Sequence, residues 1–183
     1  MQWRNSIGRY GVFAKSLHWL IVFGIVAQDL LAEAQEDKTA SSGAMTAMDW
    51  HVSIGITLLA LATLRVIWRA VDVTPRWPAS MRGFERLLAK AGHLGLYGLL
   101  FALPLSGWLL TSVEGEALRY FGWFELPALA PAGAESREHL IEEVHEVLFN
   151  ALFALAVLHV IAALKHHFID RDNILKRMLP GGR

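Results

Sequence analysis

Eight histidines in a chain of 183 residues without cysteine concentrate the ligand chemistry in imidazoles. A neutral imidazole offers one nitrogen to a metal while the other holds a hydrogen bond, and it also exchanges protons near neutral pH. His18, His51, His145 and His159 fall in apolar runs, where a polar ring without a partner is costly. His145 and His159 are 14 residues apart. On one helix that spacing turns through about 1400°, which leaves the rings about 40° apart on one face and about 21 Å apart along the axis. The missing cysteines exclude disulfides, zinc–thiolate sites, iron–sulfur clusters and thioether-anchored prosthetic groups, and leave the redox compartment unread.

The elements that must position these rings are membrane helices. The chain is 54% hydrophobic and 19% charged, with mean hydropathy +0.36, too apolar for an ordinary soluble domain. Residues 91–113 and 147–164 carry no Asp, Glu, Lys or Arg, and each is long enough to cross about 30 Å of hydrocarbon as a helix. The uncharged runs 50–64 and 16–28 are shorter, lengths that also suit a buried or re-entrant segment, but their flanking charges sit near the ends, where side chains reach water. The expectation is an all-α integral membrane four-helix bundle, one domain over 1–183, with spans near 14–34, 50–70, 91–113 and 145–167. The rival for the first span is a cleavable leader: Arg4, Arg9 and Lys15 precede an apolar stretch that ends in Ala32-Glu33-Ala34, and cleavage would discard His18.

Loop charge sets the orientation. Residues 1–16 carry +3, 33–50 carry −3, 65–90 carry +4, 112–144 carry −5 and 165–183 carry +3. The alternating sign is the positive-inside pattern of a four-helix protein with N- and C-termini cytoplasmic. Pro75-Arg76-Trp77-Pro78 marks an irregular inner connection and 127–133 an irregular outer one, while Pro104 should bend the third span. The tail "DRDNILKRMLPGGR" reads as a solvated cytoplasmic end. The sequence shows no repeat, no low-complexity tract, no phosphate-cradling glycine loop and no nucleic-acid motif.

Orientation gives each histidine a depth. His51 follows Asp49 and His145 follows Glu143, both near the outer ends of their spans. His18 follows Lys15, and His159 precedes Lys165 by six residues, about 9 Å inside the inner boundary. Two levels therefore hold two imidazoles each, from different helices. A non-covalent b-type haem needs such a pair with apolar walls, and the sequence supplies it twice. Small residues flank the pairs: Ala156 points within about 20° of His145, Ala163 follows His159 by a turn and Gly55 follows His51 by a turn. Leu152 is a bulky exception on the His145 face, where it would pack against a ring edge. Arg65, and Arg69 one turn on, continue the His51 face to the inner depth, where they could pair with haem propionates.

Ordinary readings stand beside these. A single intramembrane histidine is often an interhelical hydrogen bond, and alanine on a helix face is usually close packing. Arg65 and Arg69 also suit positive-inside anchors. His166 lies seven residues past His159, within about 20° of the same face, so it is either a hydrogen-bond donor to a quinone carbonyl or an interfacial anchor. His93, with Lys90 a turn earlier, opens the third span at the same depth and shares that choice, whereas His139 and His167 read as solvent-facing.

The segments "SLHW", "HVSIG", "LPLSGW", "HE" and "LHVIAALKHHFIDRDNILKRMLP", in this order over all four spans, resemble the bacterial di-haem cytochrome b561 family. The resemblance implies a four-helix bundle in the bacterial inner membrane whose first, second and fourth helices hold two haems b through His18, His51, His145 and His159, with no iron ligand from the third helix. It also implies electron transfer between a periplasmic donor and ubiquinone, in a superoxide oxidase-like reaction that takes an electron from superoxide, releases oxygen and reduces ubiquinone. An anionic donor would meet outer loops of −3 and −5, so it needs a local positive patch, for which Lys38, Arg119 and Arg137 are the candidates.

The expected function is a membrane di-haem b cytochrome passing electrons from superoxide to ubiquinone, with His166 or Lys90 orienting the quinone. A second reading makes it a haem-carrying relay subunit for a periplasmic dehydrogenase or hydrogenase, docked through the outer loop 112–144. A third, a histidine-lined metal or proton transporter, calls for acidic residues at mid-depth, and only Asp29 is near, at the outer end.

Overall fold

The computed structural model describes residues 2–34, 45–78 and 80–181. Four long helices carry the chain: α1 (Val12–Ala34), α2 (Ala47–Val71), α3 (Gly83–Val113) and α4 (Glu135–Phe168), followed by a short α5 (Ile174–Met178). All four long helices have the length and apolarity to cross a membrane. Their ends follow the capping chemistry of the sequence. Thr46 and Asp49 form a reciprocal capping box at the start of α2, and Glu85 accepts from the Arg82 backbone N–H at the start of α3. α4 opens on Glu135 and Glu138 and closes on Lys165, His166 and His167, charges that complement the helix dipole at both ends.

α3 begins eight residues and α4 ten residues before the expected spans at 91 and 145. At about 1.5 Å per residue these helices run to roughly 46 and 51 Å, longer than the hydrocarbon they cross. Charge density marks where lipid ends, whereas capping marks where a helix ends. α3 also runs unbroken through Pro104.

The bundle packs as a chain of neighbours, α1 on α2, α2 on α3 and α3 on α4. Its buried core joins Ile21 of α1, Leu58 and Ala62 of α2 and Leu100 of α3. Gly24 admits Leu58 and Gly95 admits Leu155, positions where a Cβ would meet those side chains at 2.6 and 2.8 Å. Among the described residues the α4 backbone barely approaches α1 or α2. What bridges that gap is side chains, the histidines among them.

Between α3 and α4 the outer connection departs from an all-helical chain by one small hairpin, β1 (Arg119–Tyr120) against β2 (Phe124–Glu125), antiparallel. It lies on α2: the Phe121 N–H donates to Ser53 Oγ (2.9 Å), Ser53 Oγ donates to the Arg119 carbonyl (3.3 Å), and Tyr120 Oη lies 3.2 Å from Thr57 Oγ1.

The inner end is laced together. Asp72, just past α2, accepts from Arg4 Nε (3.3 Å) and from the Asn5 N–H (2.8 Å), and Arg76 N–H donates to the Ile7 carbonyl. The C-terminal tail is not the free solvated end its composition suggested. Through α5 it returns to α1, where Lys15 Nζ donates to the Leu179 carbonyl (3.0 Å) and Trp19 Nε1 to that of Met178 (2.9 Å). Arg177 Nη1 donates to the Arg76 carbonyl (2.7 Å). The N-terminal segment, the α2–α3 connection and the tail thus share one end, the arrangement that the alternating loop charges required.

Candidate functional site

α4 carries His145 and His159 on one face, and each ring meets a partner from a different helix. His51 of α2 faces His145 with ring centroids 6.5 Å apart and planes at 64°. His18 of α1 faces His159 at 6.4 Å and 69°. The pairs expected from depth alone are therefore the pairs that form. Two imidazoles whose nitrogens each lie about 2.0 Å from one metal and about 1.1 Å from their own ring centres would stand about 6.2 Å apart. Both pairs have that separation, too long for a direct hydrogen bond and too short for a second layer of protein.

The protein prepares the outer pair from α3. Ser106 Oγ donates its one proton to the Leu103 carbonyl (2.8 Å), so at 2.8 Å from His145 Nδ1 it can only accept. His145 is thereby held as the Nδ1–H tautomer, with the Nε2 lone pair left over. Gly107 makes room for the ring, since a Cβ there would stand 3.1 Å from His145 Cε1. Nδ1 of His51 is buried without a hydrogen bond of good geometry. Leu152, the bulky residue on the His145 face, is only 3% exposed. Gly55 does not present an open face. The Gln28 amide nitrogen covers it, 3.1 Å from where a Cβ would lie, so the small residue after His51 serves α1–α2 packing.

At the inner level a third imidazole joins the pair. His93 of α3 lies 5.3 Å from His159, ring to ring, at 73°. Its Nδ1 is 2.7 Å from the Ala89 carbonyl, which can only accept, so Nε2 carries the lone pair. The separation is about 1 Å less than one shared metal requires, which makes His93 an edge-on neighbour of His159.

Arg65 reaches α1, where its Nη1 donates to the Ala14 carbonyl (3.0 Å), and Arg69 and Lys90 are exposed. His166 is 8% exposed, and its Nδ1 donates to Asp172 (2.8 Å) and stands 3.0 Å from Asp170. His139 is solvent-facing beside Glu135 and Glu142, as expected, whereas His167 is half-buried with its Nδ1 shielded. Among the described residues, the three metal-capable side chains that converge are His166, Asp170 and Asp172, at the inner end and not at the mid-depth a transporter would use.

At the outer end, Arg119 is paired with Glu125 (3.0 Å), and Arg137 Nη2 donates to the Pro131 carbonyl (2.8 Å). Lys38 lies outside the described residues. Burial, with Glu116, Glu138 and Glu142 adding to it, pushes the Glu114 carboxyl above the usual range. Among the described residues, the positive patch that an anionic donor would need is thus reduced to Arg137.

Comparison with known proteins decides the class. Residues 9–181, which include all four long helices and every histidine named above, match the family described as prokaryotic cytochrome b561. The chain belongs to that family. It is 40% identical to "Cytochrome b561 homolog 2" of Escherichia coli (strain K12), over 98% of this chain and 95% of the relative. "Cytochrome b561 homolog 1" of the same organism is 28% identical over 90% of this chain and 93% of its own length. "Probable superoxide oxidase CybB" of Yersinia pestis is 28% identical over 96% and 98%. As a cytochrome b561 the chain is a multi-pass bacterial membrane protein that carries haem b and serves electron transfer. The match begins before α1, so the first helix lies within the region that matches the family.

Sequence reasoning passed over Ser106 and Gly107. Both lie in "LPLSGW", a segment that entered only through the resemblance. A serine two residues after an intrahelical proline was the available signal, because such a hydroxyl must find a carbonyl or a neighbouring helix.

Proposed function

We propose that this cytochrome b561 moves electrons from a donor at the periplasmic face, superoxide in the first instance, to ubiquinone at the cytoplasmic face of the bacterial inner membrane. The reading assigns two haems b, one between His51 and His145 and one between His18 and His159. The single observation that carries it is two imidazole pairs at two levels, each at the separation that one bridging iron demands. Haem b held in this way supplies one-electron transfer without a covalent anchor.

The residues then have separable tasks. The paired imidazoles would hold each haem from two helices and leave its iron no free ligand position, so a donor would meet the periphery of the outer site. Ser106 keeps His145 in the tautomer that presents Nε2. Arg65 and Arg69, at the inner end of α2, are assigned to the propionates. His166 is assigned to the quinone carbonyl, with His93 and Lys90 as the other candidates on α3. His93 is the better placed of those two, because its ring lies against His159 whereas Lys90 is exposed.

Superoxide as donor draws on the name of the Yersinia pestis relative. One observation favours the other reading, a relay subunit fed by a periplasmic dehydrogenase or hydrogenase. The outer face is acidic with Arg119 already paired, and Trp123 on its hairpin is 80% exposed, which suits protein docking better than anion capture. Stopped-flow mixing of superoxide with the purified haem-loaded protein, with and without ubiquinone, separates the two. Partner-free quinol formation supports the oxidase. Haems that a chemical reductant reduces but superoxide does not would establish the relay.

A further inference from the structure

A cavity of about 450 Å³ opens at the inner end of the bundle, lined by Ser80, Arg82 and Glu85 near the start of α3 and by Lys165, His166, Asp170 and Asp172 at the end of α4. This concentrates proton-carrying groups at one mouth. His166 is nearly buried there, with Nδ1–H committed to Asp172 at 2.8 Å and Asp170 at 3.0 Å. Asp172 is itself fixed, since its other oxygen accepts from the Ile174 N–H at 2.9 Å. Arg171 takes a left-handed backbone (φ 54°), and the carboxylates on either side of it both reach the same imidazole. Lys165 Nζ bridges Asp170 and Glu85, each at 2.8 Å, and ties this corner to α3. The charged groups facing His166 are therefore Asp170 and Asp172 from the tail, Lys165 from its own helix, and Glu85 and Arg82 from α3.

We propose that this cavity is the proton inlet for quinone reduction, with His166 handing on the proton and Asp172 as its positioning residue. The inference rests on the reading that ubiquinone is reduced at the inner end. Reduction of one quinone to quinol consumes two electrons, delivered singly by the chain from two superoxide ions that leave as oxygen, and two protons that superoxide does not supply. One proton leaves His166 Nε2 as that N–H bond breaks and an O–H bond forms on the quinone oxygen it faces, while the other quinone oxygen takes the second proton from cytoplasmic water. The imidazole then takes a replacement from cytoplasmic water in the cavity. Asp172 holds Nδ1–H throughout, so Nε2 is the nitrogen that exchanges.

The test pre-reduces the haems of the purified holoprotein with a chemical reductant, mixes it with a soluble ubiquinone analogue, and follows haem reoxidation and quinol formation in H₂O and in D₂O. The variants are His166→Gln, His166→Ala and Asp172→Asn. All should retain both haems and be reduced by the donor at the wild-type rate. Quinol formation should slow about a hundredfold in H166Q and about tenfold in D172N. The wild type should show a solvent isotope effect, and millimolar imidazole should restore H166A. Variants that make quinol at the wild-type rate overturn the inlet while leaving the quinone site standing. So does slowing without imidazole rescue and with an unchanged isotope effect. A wild-type protein whose reduced haems pass no electrons to quinone removes the underlying reading, and the inlet with it.

Discussion

At the scale of single residues, two kinds of side chain do different work around each ring pair. The histidines define where a haem can sit, so His51→Ala and His145→Ala should each lose the same, outer haem, and His18→Ala and His159→Ala the inner one, as read by redox-resolved difference spectra. Losses grouped by helix instead of by level would break the pairing. Ser106 acts one bond further out. Its acceptance of the His145 Nδ1–H enriches the ring electronically and favours the oxidised, more positive iron. Ser106→Ala should therefore keep both haems and raise the outer potential by about 20 to 60 mV, which is about 0.5–1.5 kcal/mol of lost hydrogen bond at about 59 mV per 1.4 kcal/mol for one electron. A potentiometric titration in which only the inner midpoint moves would contradict it. Gly107→Leu goes further, because its side chain would occupy the space of the His145 ring, and the outer haem should be lost altogether.

The inner lacing belongs to the scale of elements. Asp72 is held below the usual carboxylate range chiefly by the Asn5 backbone N–H, with Val73 and Arg4 adding to it against the cost of burial. A depressed folded value means that the tie is present above the unfolded carboxylate range, near pH 3.9, and is lost as pH falls through the lower folded value. Protease protection of residues 2–11 should accordingly persist at neutral pH and vanish in strong acid, while Asp72→Asn should release the segment at pH 7. Equal protection in both proteins would show that Asp72 does not hold it.

The same elements show how far the sequence could be read. The four helices and the two histidine levels followed from uncharged length and loop sign, because those patterns are the membrane's own constraint on the chain. The extensions of α3 and α4 did not, since helix continues past lipid wherever capping and charge allow it. The outer hairpin and the return of α5 to Lys15 and Trp19 depend on side-chain-to-carbonyl bonds between segments far apart in sequence, which leave no local periodicity. His93 was legible as a candidate, but its edge-on contact with His159 was not, because it depends on how α3 and α4 rotate against one another.

At the scale of the whole molecule, the charge-alternating loops give the bundle a cationic inner end and an acidic outer one. Arg119 is spent on Glu125, and Glu114 sits among Glu116, Glu138 and Glu142. Salt therefore separates the two donors by sign. If superoxide is the donor, screening a like-charged face should raise its rate of oxidation between about 0.01 and 0.15 M salt, as the Debye length falls from about 30 to about 8 Å. A basic redox partner would instead slow over the same range.

All of this presupposes that both levels are occupied. Haem content per chain of the purified protein, together with its reduced-minus-oxidised spectrum, measures that most directly. Two low-spin b haems per polypeptide is the predicted result, and a stoichiometry of one or none would contradict it.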